Sequence, residues 1–400
     1  MESAQPQITV IIRDVLGGVA TYWANLLNEL PSQTACVILV RDKHDHYAPT
    51  EQLFGCKTLQ FEYDGKLENK TSVYRRLVNL VPSATTDIIA NESIHLAATA
   101  HCCPAIRIHF VLHGDSHYYY QTAERFSDFI SLYFCVGNQI LHILKNKNID
   151  AAKCCLLPPC IPVPNPPPAL KKNSHSNLKI AFIGRFTFEK GFDCVKDSIA
   201  QCAEKSLPCE WTIISSNQKH EIAPPRAKNI TQIEQCSKAT IDNVLRESDV
   251  FILPSRVEGF AIVVAEAMRM GVVPVLSDLM VFKEHPFLND SNSFQYSPDQ
   301  VALFVEAISE LDADRNQLYL MQQRAFRDSA KMLAPDEIAS LFTARITLSK
   351  PHQTMPRREL CSRLDQSFLP NFLVVAIRTL KQRMKSFNPA VGNIEKATSL

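Results

Sequence analysis

Glycine is scarce in this chain: 11 residues in 400, against 24 prolines, where a globular protein carries about 7% glycine. The scarcity excludes collagen, Gly/Ser linkers and glycine-rich repeats. No G-x-G-x-x-G and no G-x-x-x-x-G-K-[ST] occurs, which argues against the usual NAD and P-loop ATP sites. The 13 cysteines are odd in number and contain no C-x-x-C. The adjacent pairs Cys102–Cys103 and Cys154–Cys155 lack the spacing of zinc ligands. The thiols therefore read as reduced, small apolar residues of a cytoplasmic protein. MESAQPQITV has neither a basic n-region nor a long apolar stretch, and no 18-residue apolar run follows, so no signal peptide or membrane-spanning helix is expected. A net charge of +1 speaks against nucleic acid as a partner.

What is present is ordinary globular material, 46% hydrophobic and 21% charged, with length for two domains. Apolar, β-branched segments such as ITVIIRDV (8–15), CVILVRD (36–42), IRIHFVLHGD (106–115) and FISLYFCVG (129–137) alternate with helix-like ones such as GGVATYWANLLNEL (17–30). That alternation predicts a parallel sheet covered on both faces. Residues 158–168 read PPCIPVPNPPP, seven prolines in eleven residues, a stiff connector. A second alternation follows, with strands at LKIAFIGRF (178–186), WTIIS (211–215), DVFILPS (249–255) and VVPVLSD (272–278) and helical stretches up to residue 349. The expected organisation is a Rossmann-like domain over 1–157, a linker over 158–177, a second Rossmann-like domain over 178–349, and a tail over 350–400. The tail carries nine Lys/Arg against three Asp/Glu, a local +6 on a body near −5.

In open parallel sheets ligands gather beyond the C-terminal strand ends, and several uncommon residues fall there. Gly17 and Gly18 precede a helix whose N–H groups could receive a phosphate; a tight βα turn would need them equally. GRFTFEKG (184–191) carries Arg185 and Lys190, able to grip a diphosphate from two sides or to form a solvated charged turn. In SRVEGFAIVVAEAMRMGVVPV (255–275), Glu258 lies in a loop beside Gly259 and Phe260. Glu266 sits about two turns into an apolar helix, where a carboxylate is costly unless hydrogen-bonded. A ribose diol would satisfy it, as would backbone or an arginine. His113 ends an apolar strand just before Gly114, as a ligand contact or a structural group.

Taken in order, GGVATYWANLLNEL, His113–Gly114, GRFTFEKG and the E-x7-E segment EGFAIVVAE resemble family 4 of the retaining, nucleotide-sugar-dependent glycosyltransferases over roughly residues 8–345. The resemblance implies the GT-B fold: two facing Rossmann-like domains with a cleft between them. It implies an enzyme that moves a sugar from a UDP- or GDP-linked donor to a glycan, glycolipid or lipid-linked acceptor, with retention and no metal or other cofactor. Arg185 and Lys190 would hold the diphosphate, Glu258 the donor-sugar hydroxyls and Glu266 the ribose. Gly17, Gly18, Gly184, Gly259 and Phe260 would line the donor site, and His113 would touch the donor sugar from the first domain. A non-catalytic sugar-nucleotide-binding protein of this fold and a nucleotide-sugar epimerase are the alternatives.

The chain departs from the family pattern at SDLMVFKEH (277–285), with Met280 and Val281 where glycines are expected, and at Ser215–Ser216. Finally, FLPNFLVVAIRTLKQRMKSF (368–387) mixes apolar residues with Arg378, Lys381, Arg383 and Lys385. It suits an anionic membrane surface, which would make the protein peripheral on the cytoplasmic face, or a helix packed back on the first domain.

Overall fold

The computed structural model describes residues 7–44, 50–99, 106–170, 177–215, 229–234, 236–332, 334–351 and 371–387. Seven strands form the first sheet: β1 (Ile8–Arg13), β2 (Ala35–Asp42), β3 (Lys57–Tyr63), β4 (Asp87–Ala90), β5 (Arg107–Leu112), β6 (Leu132–Cys135) and β7 (Cys154–Leu156). Their order is β3-β2-β1-β4-β5-β6-β7, and every neighbouring pair is parallel. The continuous apolar runs explain it: Val10, Ile11, Ile12, Ile88 and Phe110 are fully buried, as strands covered on both faces must be. The covering helices are α1 (Gly18–Leu27), α2 (Lys70–Val78), α3 (Ser93–Thr99), α4 (His117–Arg125) and α5 (Asn138–Lys145).

The second sheet holds β8 (Leu178–Ile183), β9 (Cys209–Ser215), β10 (Ile230–Glu234), β11 (Val250–Leu253), β12 (Val273–Ser277) and β13 (Phe294–Tyr296). The order is β10-β9-β8-β11-β12-β13, again all parallel. Its helices are α6 (Phe192–Glu204), α7 (Lys238–Glu247), α8 (Ile262–Arg269), the short α9 (Met280–Lys283), α10 (Val301–Ala313), α11 (Arg315–Ser329) and α12 (Pro335–Leu348). The chain is thus two parallel-sheet, Rossmann-like halves. Four strands go beyond those expected in the sequence, β3, β7, β10 and β13, as do helices α4 and α9.

The halves are tied together by α12, which leaves the second and packs on the first. Phe342 meets Trp23 at 5.8 Å and Phe134 at 5.6 Å between ring centroids. The proline-rich segment does not run free: Tyr22 Oη donates to Leu157 O (3.0 Å) and Asn25 Nδ2 to Cys160 O (2.9 Å), so its start lies along α1. At 279–282, where glycines are expected, the chain forms the short helix α9. Val281 and Phe282 go into the core, Met280 is exposed, and α9 reaches α5 of the other half. Ser215 ends β9, while Ser216 lies outside the described residues. The ten described cysteines are free and mostly buried; burial pushes Cys160 up to about 12, which keeps it a thiol.

No helix among the described residues is long and apolar enough to cross a membrane. The C-terminal helix Asn371–Phe387 begins against the first half, where Asn371 Nδ2 donates to Gly65 O (2.5 Å) and Phe372 N to Lys66 O (2.8 Å). Val374 is buried, whereas Phe372, Leu373, Val375 and Leu380 are exposed.

Candidate functional site

Strand order reverses between β1 and β4 in the first sheet and between β8 and β11 in the second. Loops diverge at such switch points and leave a crevice beyond the strand ends. Gly17 and Gly18 follow β1, residues 184–191 follow β8, and Ser255–Gly259 follow β11, so both crevices collect residues singled out in the sequence.

In the second half two loops are stitched together. After β8 the chain makes a short turn, Phe188–Lys190, and leaves it through Gly191 at φ +66°. A Cβ there would also stand 1.9 Å from Pro254 O at the end of β11, so only glycine permits the approach. Arg256 fastens the same junction. Its N–H donates to Glu189 O (2.8 Å) and its guanidinium donates to Phe188 O (2.9 Å) and, bidentately, to Asp193 (2.9 and 2.9 Å), while lying 3.7 Å from the Phe188 ring centroid. The result is that Lys190 Nζ donates to Glu258 Oε1 at 2.7 Å, and Ser255 Oγ donates to the same oxygen at 2.7 Å. Oε2 of Glu258 makes no hydrogen bond among the described residues. Arg185 stands apart from this pair and is exposed. A hydrogen bond from its own backbone N–H, and then the Arg185 charge, hold the Glu189 carboxyl below the usual range.

Glu266 is buried on α8 and does not pair with the loop residues. Burial raises its pKa, and Lys238 at the start of α7 works against that rise from 3.2 Å. Lys238 also pairs with Asp242 one turn along. Neither Lys238 nor Arg256 was anticipated: the contacts of Lys238 with Glu266 on α8 and of Arg256 with Phe188 and Asp193 join separate elements.

Ala261, which precedes α8, has φ +57°, a strained conformation for a residue with a Cβ. Phe260 turns inward, edge-on to His285 at 4.5 Å and near Phe287, and so supports the loop from beneath. A Cβ on Gly184 would meet the Phe182 ring at 3.1 Å, while one on Gly17 or Gly18 would meet nothing within 4 Å. The α1 terminus thus has open space before it.

The two halves touch at backbone level. A Cβ on Gly259 would lie 2.1 Å from His113 O and 2.9 Å from Gly114 Cα, and one on Gly137 would lie 2.9 Å from Gly259 O. His113 is therefore at the seam. Its ring is edge-on to Tyr22 at 5.1 Å, its Nε2 is 2.6 Å from Asn91 Oδ1, and burial brings its pKa down to about 3. The structure thus joins Lys190 to Glu258 and His113 to Gly259. Among the described residues no three His, Cys, Asp or Glu side chains converge as a metal site would require.

Residues 177–314 match the family model described as Glycosyl transferases group 1. The comparison with curated proteins gives no match. Among solved structures, Anabaena HepE in complex with UDP-glucose is similar at a TM-score of 0.69 and 15% identity, over 85% of this chain and 99% of that one. Sucrose-phosphate synthase from Thermosynechococcus elongatus is similar at 0.68 and 13%, over 86% and 98%. The pneumococcal O-GlcNAc transferase GtfA, in complex with UDP and GlcNAc, is similar at 0.66 and 11%, over 86% and 99%. At these identities the likeness is one of fold: the two facing halves have the GT-B arrangement.

Proposed function

We propose that this protein is a glycosyltransferase that moves a sugar from a nucleoside-diphosphate sugar to an acceptor, with retention of configuration and without a metal ion. The observation that carries the reading is the Lys190–Glu258 contact, with one carboxylate oxygen held by Lys190 and Ser255 and the other left over. As the glycosidic bond to the donor breaks, charge builds on the leaving diphosphate. A lysine already fixed at a strand end stabilises that charge without reorganising. Arg185 supplies a second cation from the same loop, and Oε2 of Glu258 accepts from a sugar hydroxyl. Glu266 takes the ribose diol, exchanging the Lys238 contact for two hydroxyl bonds. Gly17, Gly18 and the start of α1 receive the phosphates, Gly184 and Gly259 let the loops close, and the first half presents His113 and the acceptor. UDP is the nucleotide favoured by the ligands of HepE and GtfA.

The acceptor in this reading is a glycan or a lipid-linked glycan precursor. The second agrees with the C-terminal helix, whose exposed Phe372, Leu373, Val375 and Leu380 share one segment with Arg378, Lys381, Arg383 and Lys385. That pairing suits an anionic membrane on its cytoplasmic face. Vesicle co-sedimentation checks this: loss of binding when residues 351–400 are removed supports it, and equal binding by both forms removes it.

Thermal-shift titration with UDP- and GDP-sugars, followed by transfer assays, tests the main reading. Stabilisation by one donor, lost in Lys190→Ala and Glu266→Ala, is the expected result. No response to any donor would overturn it.

A further inference from the structure

Asn91 follows β4 at the first switch point, and both ends of its side-chain amide are hydrogen-bonded. Trp23 Nε1, which can only donate, donates to Oδ1 at 2.7 Å. Nδ2 donates at 2.8 Å to Ile11 O, which can only accept. These two partners identify the oxygen end of the amide by chemistry alone. His113 Nε2 stands 2.6 Å from that oxygen, so Nε2 must carry a hydrogen. Burial keeps the imidazole neutral, and a neutral ring protonated at Nε2 has its lone pair on Nδ1. Nδ1 makes no hydrogen bond among the described residues. The opposite tautomer would set a lone pair against the Asn91 oxygen and forfeit the bond.

We propose that Asn91, itself fixed by Trp23 and Ile11, is a positioning residue that holds His113 in the Nε2–H tautomer, so that Nδ1 accepts a hydrogen bond from a hydroxyl of the donor sugar. The ligand half of this proposal rests on the glycosyl-transfer reading; the tautomer does not. Two features set His113 at the seam, beside the loop that carries Glu258. The His113 carbonyl abuts Gly259, the residue next to Glu258. Tyr22 holds the ring edge-on and is itself tied to Leu157 O. The pair His113 Nδ1 and Glu258 Oε2 would then be two acceptors facing one polyhydroxylated ligand from opposite halves. Such a site selects hydroxyl donors and leaves an analogue lacking that hydroxyl with an unpaired lone pair.

The test uses the full chain. Nitrogen-15 NMR of the histidine rings, with His113 assigned by its loss in His113→Phe, should show the Nε2–H tautomer across the neutral range. In Asn91→Ala the signal should become a mixture of tautomers. UDP-glucose affinity should fall about tenfold, the size of one lost hydrogen bond, while UDP affinity stays unchanged. His113→Phe leaves the Asn91, Trp23 and Ile11 bonds in place and should give the same split, which keeps the proposal open to failure if Asn91→Ala does not fold. An Nδ1–H or doubly protonated ring in the native chain overturns the proposal, as does equal weakening of UDP and UDP-glucose in His113→Phe. Failure of the native chain to bind either ligand, with the Nε2–H signal present, overturns the glycosyl-transfer reading and the sugar contact with it, and leaves the tautomer lock standing.

Discussion

Glu258 receives Lys190 and Ser255 through one oxygen while its side chain is almost fully buried. Removing the ammonium leaves a buried carboxylate with a single neutral donor. Lys190→Met should therefore cost about 1–3 kcal/mol of stability as well as nucleotide-sugar affinity. Lys190→Met combined with Glu258→Gln should recover most of the stability and none of the affinity, which denaturant titration and donor binding separate. Ala261 makes a second case. Its φ of +57° costs about 1–2 kcal/mol for a residue with a Cβ, whereas glycine there gives back about 0.5–1 kcal/mol in chain entropy. Ala261→Gly should stabilise by about 0.5–1 kcal/mol, seen as a higher denaturation midpoint. The Lys190–Glu258 contact joins two residues that stand out in the sequence, as Glu266 does, because charge at a strand end or within an apolar helix is conspicuous. Asn91, Lys238 and Arg256 do not, because each matters through partners on other elements.

Elements divide in the same way. The central strands announce themselves as apolar runs. Strand β3 (KTLQFEY) and β10 (ITQIE) lie at sheet edges, half solvated, so their signal is a weaker alternation. Helix α4 (HYYYQTAER) is rich in tyrosine, a middling helix former. At the opposite end of the sheet from the candidate site, an ion pair joins two strands. Arg107 on β5 donates to both oxygens of Asp87 on β4 (2.7 and 2.6 Å), and His109 Nε2 lies 2.9 Å from one of them. Burial pushes Asp87 up, but the bonds from His109 and Arg107 overcome it and hold the carboxyl below its usual range. Asp87→Ala leaves Arg107 without its buried counter-ion and should cost about 3–5 kcal/mol. Ligand affinity of the folded fraction should be unaltered, which melting and donor titration check together.

For the whole molecule, acidification is the informative stress. Burial holds His95 and His113 down at about 3 and His285 at about 4, while in the unfolded chain each takes up its proton near pH 6.5. Between those values the unfolded state binds more protons, so stability falls as pH falls, by up to about 1.4 kcal/mol per pH unit for each histidine. Glu266, raised by burial, opposes the trend and does not outweigh three groups. Guanidinium midpoints should therefore drop from about pH 7 to about pH 5, and less steeply in His95→Phe. The two halves were legible as repeated alternation of strand and helix; their junction was not, because α12 and α9 reach across through packing alone. At the seam, Gly259 rests on His113 O with no room for a Cβ. A single methyl group there is a doorstop. Gly259→Ala should leave each lobe sound yet wedge the two halves apart, giving a larger radius of gyration in X-ray scattering. Backbone pressed on backbone offers no side chain to trim in compensation, so the latch of this molecule is one that mutation can jam but hardly adjust.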